Sequence, residues 1–378
     1  MRILVNLSII QSGGGMQVAH SLINELKTHK NNEYLILASN KILALITKEP
    51  FPDNFNFNLV ESSPSRIFSG ARSRKQLSQA ELEFRPDVVF TLFGPPYWKP
   101  QAPHLCGFAL AQHLYKESPF FTVISFRERL KLKVKEFIKF LSFKHHCDYW
   151  VTEMPDVSSR LAKKLGVPRD KVFTVNNVYN NIYDQPDKWK RPRFDVKPDT
   201  LGYKLLTISS FHTHKNLAII PKVIDYLKER YPTFNFTFIL TVYEESFSGL
   251  TDQHKGHMLF LGPILLEECP LLYQYSDALF MPTLLECFTV SYLEAMKMER
   301  PILTSDLPFA NDICQYAALY FDPLDAKNIG DKIVKLANNE DLRNKLVDSG
   351  RQVLVDFGTA AERTQAYLSI LEKIVKYN

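Results

Sequence analysis

Residues 284–308, LLECFTVSYLEAMKMERPILTSDLP, set two glutamates, Glu286 and Glu294, eight positions apart. The preceding strand-like ALFMP ends at Pro282, so Glu286 falls in a loop. Cys287 to Val290 lead into a helical pattern that runs to Met298, and PILTS reads as the next strand. A helix starting near Thr289 leaves the amides of Phe288, Thr289 and Val290 unpaired at its positive end, where an anion such as a diphosphate can sit. Glu294 then lies one to two turns in, and its two acceptor oxygens suit the paired hydroxyls of a ribose. Glu286, on the other side of the anion, faces a sugar. Spacing alone leaves a second arrangement open, in which Glu286 caps the helix and Glu294 pairs with Lys297 or Arg300 on the surface.

Working outward, strand-like and helical runs alternate through the whole chain. The strands are RILVNLS, EYLILAS, DVVFTLF, LCGFALA and DYWVTE in the first half, and LLTISS, FTFILTV, MLFLG, ALFMP and PILTS in the second. Helical patterns such as VAHSLINELKTHK, NLAIIPKVIDYLKERY and AKNIGDKIVKLANN separate them. Strand, helix, strand repeated predicts an α/β chain with parallel, doubly wound sheets. With 378 residues, two domains are expected rather than one core. The Asn/Asp/Pro-rich stretch 176–202 has no period and reads as a linker. The expected division is 1–180, 200–355, and a last helix within 356–378 that crosses back to the first domain. Two such Rossmann-like domains place ligand in a cleft, at the carboxyl ends of the strands.

Composition narrows the class. Hydrophobic residues make up 45%, aromatic 12% and charged 23%, which suits a folded globular chain. Five cysteines without a C-x-x-C pair fit neither a disulfide framework nor a zinc site. The opening MRILVNLSII is short, contains Asn6 and reads as a buried strand rather than a signal sequence. No apolar run approaches the roughly 20 residues needed to span a bilayer, so a cytoplasmic location is expected. A net charge of +5 is too small to argue for nucleic acid. The surplus gathers in RERLKLKVKEFIKFLSFKHH, residues 127–146, where seven Lys/Arg and two His stand against two Glu with apolar residues interleaved. That pattern suits docking on an anionic membrane surface, or a solvated helix packed on its own domain.

Two further turns from strand into helix carry candidate binding residues. In S12-G13-G14-G15-M16-Q17-V18, Gly14 and Gly15 let the backbone approach phosphate or an acceptor sugar. The loop nearly matches a dinucleotide fingerprint, but Val18 replaces the third glycine and LILASN lacks the acidic residue that would hold a ribose. In ISSFHTHKNLAII, residues 208–220, Lys215 stands just before a helix, where an ammonium can reach a diphosphate. His212 and His214 flank it with no carboxylate or cysteine to complete a metal set, and no D-x-D occurs, so no metal and no cofactor are expected.

ECFTVSYLEAM resembles the E-x7-E signature of family 4 retaining glycosyltransferases, usually E-G-F-G-L-P-x-L-E-A-M. FLGPILLEECPLLYQYSDALFMPTLLE upstream and PILTSDLPFANDICQYAALYFDPLDAKNIGDKI downstream resemble the family's neighbouring runs. SSFHTHKN stands where the family has G-R-x-x-x-x-K-G/N, and SGGGMQVAHSL where it has a Gly-Gly loop. The likeness covers nearly the whole chain and is strongest over 204–335. It implies the GT-B fold and retaining, metal-independent transfer of a hexose-type sugar from a nucleoside-diphosphate sugar. The acceptor would be a glycan or lipid-linked glycan in bacterial surface polysaccharide synthesis. It further implies that Lys215 and Asn216 meet donor phosphate, Glu294 the ribose, Glu286 the transferred sugar, and the Phe288, Thr289 and Val290 amides the diphosphate. Pro263 and Ile264 would lie against the base. His113, at the end of the strand-like GFALA, corresponds to a histidine the family often has near the acceptor. Two departures stand out: Ser210 occupies the family's phosphate-binding arginine position, and Cys287 the glycine after the first glutamate. An NAD-dependent oxidoreductase and a non-catalytic nucleotide-sugar binder are the alternatives.

Overall fold

The computed structural model describes residues 1–11, 13–47, 50–66, 69–192 and 202–377. Ser12 of the glycine loop and residues 193–201 of the expected linker lie outside them. Contacts divide the chain into two units. Unit 1 comprises 1–114, 126–180 and 359–378; unit 2 comprises 115–125 and 181–358.

Unit 1 holds seven strands: β1 (Arg2–Leu7), β2 (Glu33–Ala38), β3 (Phe55–Leu59), β4 (Val88–Thr91), β5 (His104–Gly107), β6 (Tyr149–Thr152) and β7 (Val172–Thr174). They form one all-parallel sheet in the order β3-β2-β1-β4-β5-β6-β7. The central strands are apolar on both faces because helices cover both. The helix Ala360–Tyr377 packs in this unit, laying Tyr367, Leu368, Leu371 and Ile374 into the core of β1, β2 and β4. Its buried Arg363 donates to Asn177 Oδ1 at 2.7 Å and Ser21 Oγ at 2.8 Å.

Unit 2 holds β8 (Tyr203–Thr207), β9 (Phe236–Leu240), β10 (Met258–Phe260), β11 (Ala278–Met281), β12 (Ile302–Ser305) and β13 (Ala318–Phe321). They too form an all-parallel sheet, ordered β10-β9-β8-β11-β12-β13. The strand order reverses between β8 and β11, and Thr207 Oγ1 donates to Phe280 O at 2.6 Å across that pair. The loops leaving β8 and β11 therefore open side by side at a topological switch point, where doubly wound sheets bind ligands.

Two boundaries differ from the sequence reading. Tyr115–Ser125, counted in the first domain, belongs to unit 2, where Ser118 bonds to Leu284 and the Phe120 ring meets His214. The supposed linker is packed from Asn181 onward. Ile182 and Tyr183 are buried, Trp189 Nε1 donates to Ile182 O at 2.7 Å, and Lys190 N donates to Glu267 O at 2.8 Å.

Candidate active site

The site is assembled from the loops that follow β8 and β11. After β8 the chain makes a single 3-10 turn at Thr213–Lys215, closed by Asn216 in the left-handed region at φ 56°. An asparagine tolerates that conformation better than most residues. Its Nδ2 donates to Pro323 O at 2.8 Å, which anchors the loop. After β11 the chain passes Leu284, whose N donates to His214 O at 2.7 Å and joins the two loops.

Across that junction Lys215 Nζ meets Glu286 Oε1 in an ion pair whose side chains are 16% and 17% exposed. His214 Nε2 lies 3.9 Å from the same oxygen. Burial pushes the His214 pKa down, against the opposing pull of Glu286 and with the help of Lys215 and His212. His214 is therefore mainly neutral near pH 7 and does not replace the arginine position held by Ser210. Ser210 itself is exposed, with its carbonyl taken by Ser209 Oγ at 3.1 Å.

The helix after Glu286 runs Ser291–Lys297, two residues later than expected, with Val290 as its N-cap and no side-chain cap bond. Phe288 and Thr289 are buried, Phe288 against Phe357. Cys287 is also buried, so the side chain standing where the family has glycine turns into the core. With seven residues the helix has only a small macrodipole, and a diphosphate there would depend more on Lys215 than on the helix. Tyr292 OH, within 2.6 Å of Thr304 Oγ1, ties the helix to β12.

Glu294 falls in the first turn of that helix and is 7% exposed. The surface pairing left open by the spacing does not occur, since Lys297 pairs with Asp184 instead. Tyr273 OH donates to Glu294 Oε2 at 2.9 Å, and Tyr183 adds a second hydroxyl. Burial pushes the Glu294 carboxyl up to about 7, with the tyrosine hydroxyls pulling the other way. Tyr273→Phe should cost about 1–3 kcal/mol by removing the donor to a buried carboxyl. The denaturant midpoint near neutral pH reads it, and an unchanged midpoint would mean that Glu294 does not depend on this tyrosine.

Pro263 and Ile264 follow β10 and line a cavity of about 280 Å³ with Pro192, Leu261, Leu265 and Glu268. Gly262, just before Pro263, takes φ +66°, and a Cβ there would press on Tyr243.

The remaining candidates belong to unit 1. Gly14 and Gly15 open the helix Gly14–Leu26, with Gly13 as N-cap at φ 73°, so the loop is shorter than VAHSLINEL suggested. No side chain crowds a Cβ built on Gly13 or Gly14. His113 does not end a strand: β5 stops at Gly107, and His113 lies in the short helix Ala111–Leu114. It is 4% exposed, and its Nε2 donates to Glu136 O at 2.9 Å. That bond ties His113 to the helix Phe126–His146.

Sequence reasoning missed Tyr183, Tyr273 and the strap Tyr115–Ser125. Buried Ser118 donates from Oγ to Leu284 O at 2.6 Å, and the Phe120 ring meets His214 edge-on at 6.4 Å. The sequence signal for the strap was the aromatic pair Phe120-Phe121.

Residues 190–353 match the model of the family "Glycosyl transferases group 1". The chain is 25% identical over 218 residues to the O-antigen chain mannosyltransferase RfbU of Salmonella typhimurium, covering 57% of this chain and 55% of that one. It is 26% identical over 250 residues to the N,N'-diacetylbacillosaminyl-diphospho-undecaprenol alpha-1,3-N-acetylgalactosaminyltransferase of Campylobacter jejuni, covering 62% and 63%. The chain thus spans less than two thirds of either relative's length. Among solved structures, a glycosyltransferase from Rickettsia africae superposes with a TM-score of 0.72 at 15% identity over 100% of this chain and 99% of that one, a likeness of fold. Over residues 190–353, therefore, the chain is similar to the glycosyl transferases group 1 family.

Proposed function

We propose that the protein is a retaining hexosyltransferase that moves a sugar from a nucleoside-diphosphate sugar to a glycan or lipid-linked glycan, without a metal or cofactor. The observation that carries this reading is the meeting of Lys215 with Glu286 where the strand order of unit 2 reverses, with Glu294 in the helix that follows. A pyrophosphate leaving group needs positive charge held ready as it departs. Lys215 supplies it, exchanging its contact with Glu286 for phosphate oxygens. Glu286, released, faces the transferred sugar, and the cavity beside Pro263 and Ile264 receives the base.

The two curated relatives, an O-antigen mannosyltransferase and a diphospho-undecaprenol-linked N-acetylgalactosaminyltransferase, support surface polysaccharide synthesis on a lipid carrier. An acceptor of that kind is met by a cytoplasmic enzyme held peripherally on the membrane. The oxidoreductase alternative is weakened at β2, whose end carries Ser39 donating to Ile10 O at 2.9 Å, with no acidic residue for a nicotinamide nucleotide's ribose.

Thermal shift against UDP-, GDP- and dTDP-sugars and NAD is the test, run in a chelator. One sugar nucleotide at a hundred times its Kd should add about 2.7 kcal/mol of stability. Lys215→Ala should lose that gain. Stabilisation by NAD alone, or by none of the panel, would sink the reading. Binding without transfer or donor hydrolysis would leave the non-catalytic binder in its place.

A further inference from the structure

We propose that the outward face of the helix Phe126–His146 is a docking surface for an anionic phospholipid bilayer. A surface helix ordinarily buries its apolar stripe and shows water its polar face. This helix buries Phe143 and half-buries Leu132 and Phe140, yet leaves a second apolar row in water. Toward unit 1 it buries Glu136, Ser142 and Phe143. Toward solvent it presents Phe126, Leu130, Val134, Phe137, Ile138 and Leu141, from 37% exposed at Leu141 to 81% at Phe126. These positions recur at three- and four-residue spacing, so they form one continuous row along one side of the helix. A row of six large apolar side chains on one face is unusual for a surface that meets only water.

The charges beside the row select its occupant. By the same helical spacing, exposed Lys131 and Lys135 fall on one border of the row, and exposed Arg129 and Lys133 on the other. A second copy of the chain laid on this face would bring cations against cations. A nucleic acid would answer the charge but leave the apolar row unsatisfied. A bilayer with anionic headgroups satisfies both, the row entering the acyl boundary while the lysine stems extend to the phosphates. Among the described residues no helix is long and apolar enough to cross a membrane, so the contact lies in the interfacial plane. The proposal rests on the lipid-linked reading of the acceptor for its purpose only. Vesicle binding is measured without donor or acceptor, so its failure is separate from failure of the transferase reading.

The test is co-sedimentation of the full chain with vesicles of phosphatidylcholine, alone and mixed with phosphatidylglycerol. Strong binding is expected to the mixed vesicles and weak binding to the neutral ones. Lys131→Glu, Lys133→Glu and Lys135→Glu combined should lower the partition coefficient roughly 100-fold or more at about 0.1 M salt. Leu130→Ser with Phe137→Ser, at two exposed positions where the fold does not depend on them, should weaken binding to a similar extent. No lipid-dependent pelleting, or pelleting that neither variant changes, overturns the proposal. So does a concentration-dependent dimer in light scattering that Phe137→Ser dissolves while vesicles bind nothing, since a second copy would then cover the face.

Discussion

Glu286→Gln is expected to lower the transfer rate by about 10²- to 10³-fold, the size typical for loss of one preorganised electrostatic group, with donor KM changed far less. Glutamine keeps the shape of the side chain at the end of Leu284-Leu285 and removes only its charge. Two consequences follow from the geometry. On the proposed reading the sugar loses the carboxylate that faces it, and Lys215 loses the partner that holds its ammonium in place. The second effect alone would favour phosphate binding, because an unpaired ammonium has more to gain from a diphosphate. Lower kcat with equal or lower KM is therefore the signature of Glu286 acting on the transferred sugar. Lys215→Met should lower kcat and raise donor KM together, because the ammonium meets the diphosphate in the bound donor and gains more from it as the leaving group departs. Because the two groups touch, the double variant should lose much less than the product of the single losses. Steady-state transfer with labelled donor reads all three. A kcat for Glu286→Gln within threefold of the parent would remove Glu286 from the chemistry.

Most of the architecture was legible from alternation alone, and the strands that were not share one cause. β3, β7 and β13 are edge strands. FNFNL alternates Phe with Asn because one face meets solvent, VFT is only three residues long, and ALYF has a half-exposed middle. Neither β3 nor β7 carries the continuous apolar run by which buried parallel strands are recognised. The same physics explains His113. GFALA looks like more strand, but the β5 ladder ends at Gly107, where a Cβ would collide with Leu92 O. At the site, Lys215, Glu286 and Glu294 were singled out by the family resemblance, since spacing alone left a surface pairing of Glu294 open. The environment of Glu294 was not. Tyr183 comes from a stretch that reads as linker, and Tyr273 from a helix, Cys269–Tyr275, whose pattern shows only that it is half apolar. Pattern reports which residues are buried, and not which carboxyl a buried tyrosine will find.

That environment makes Glu294 the group whose titration should be visible in the whole molecule. An ordinary glutamate titrates near 4.5, and burial moves this one to about 7. Between those values the folded chain holds a proton that the unfolded chain has released, so this group lowers stability as pH rises. Its contribution is full below about pH 4.5, declines through the interval and is exhausted above about pH 7. The shift corresponds to about 3 kcal/mol in all. Glu294→Gln carries no titrating proton, so the difference in unfolding free energy between parent and variant should change by that amount from pH 4.5 to 7.5. The comparison cancels groups common to both proteins, His214 among them. A sugar nucleotide adds a second readout. A ribose held by the ionised carboxylate must expel the proton that the empty site retains. Nucleotide affinity should then rise with pH, by up to about tenfold per unit below pH 7, and level off above it. Calorimetry in buffers of different ionisation enthalpy should register proton release near pH 6.5. Proton uptake, or an affinity indifferent to pH in this range, would show that the ribose does not rest on Glu294, even if the stability slope appears as expected.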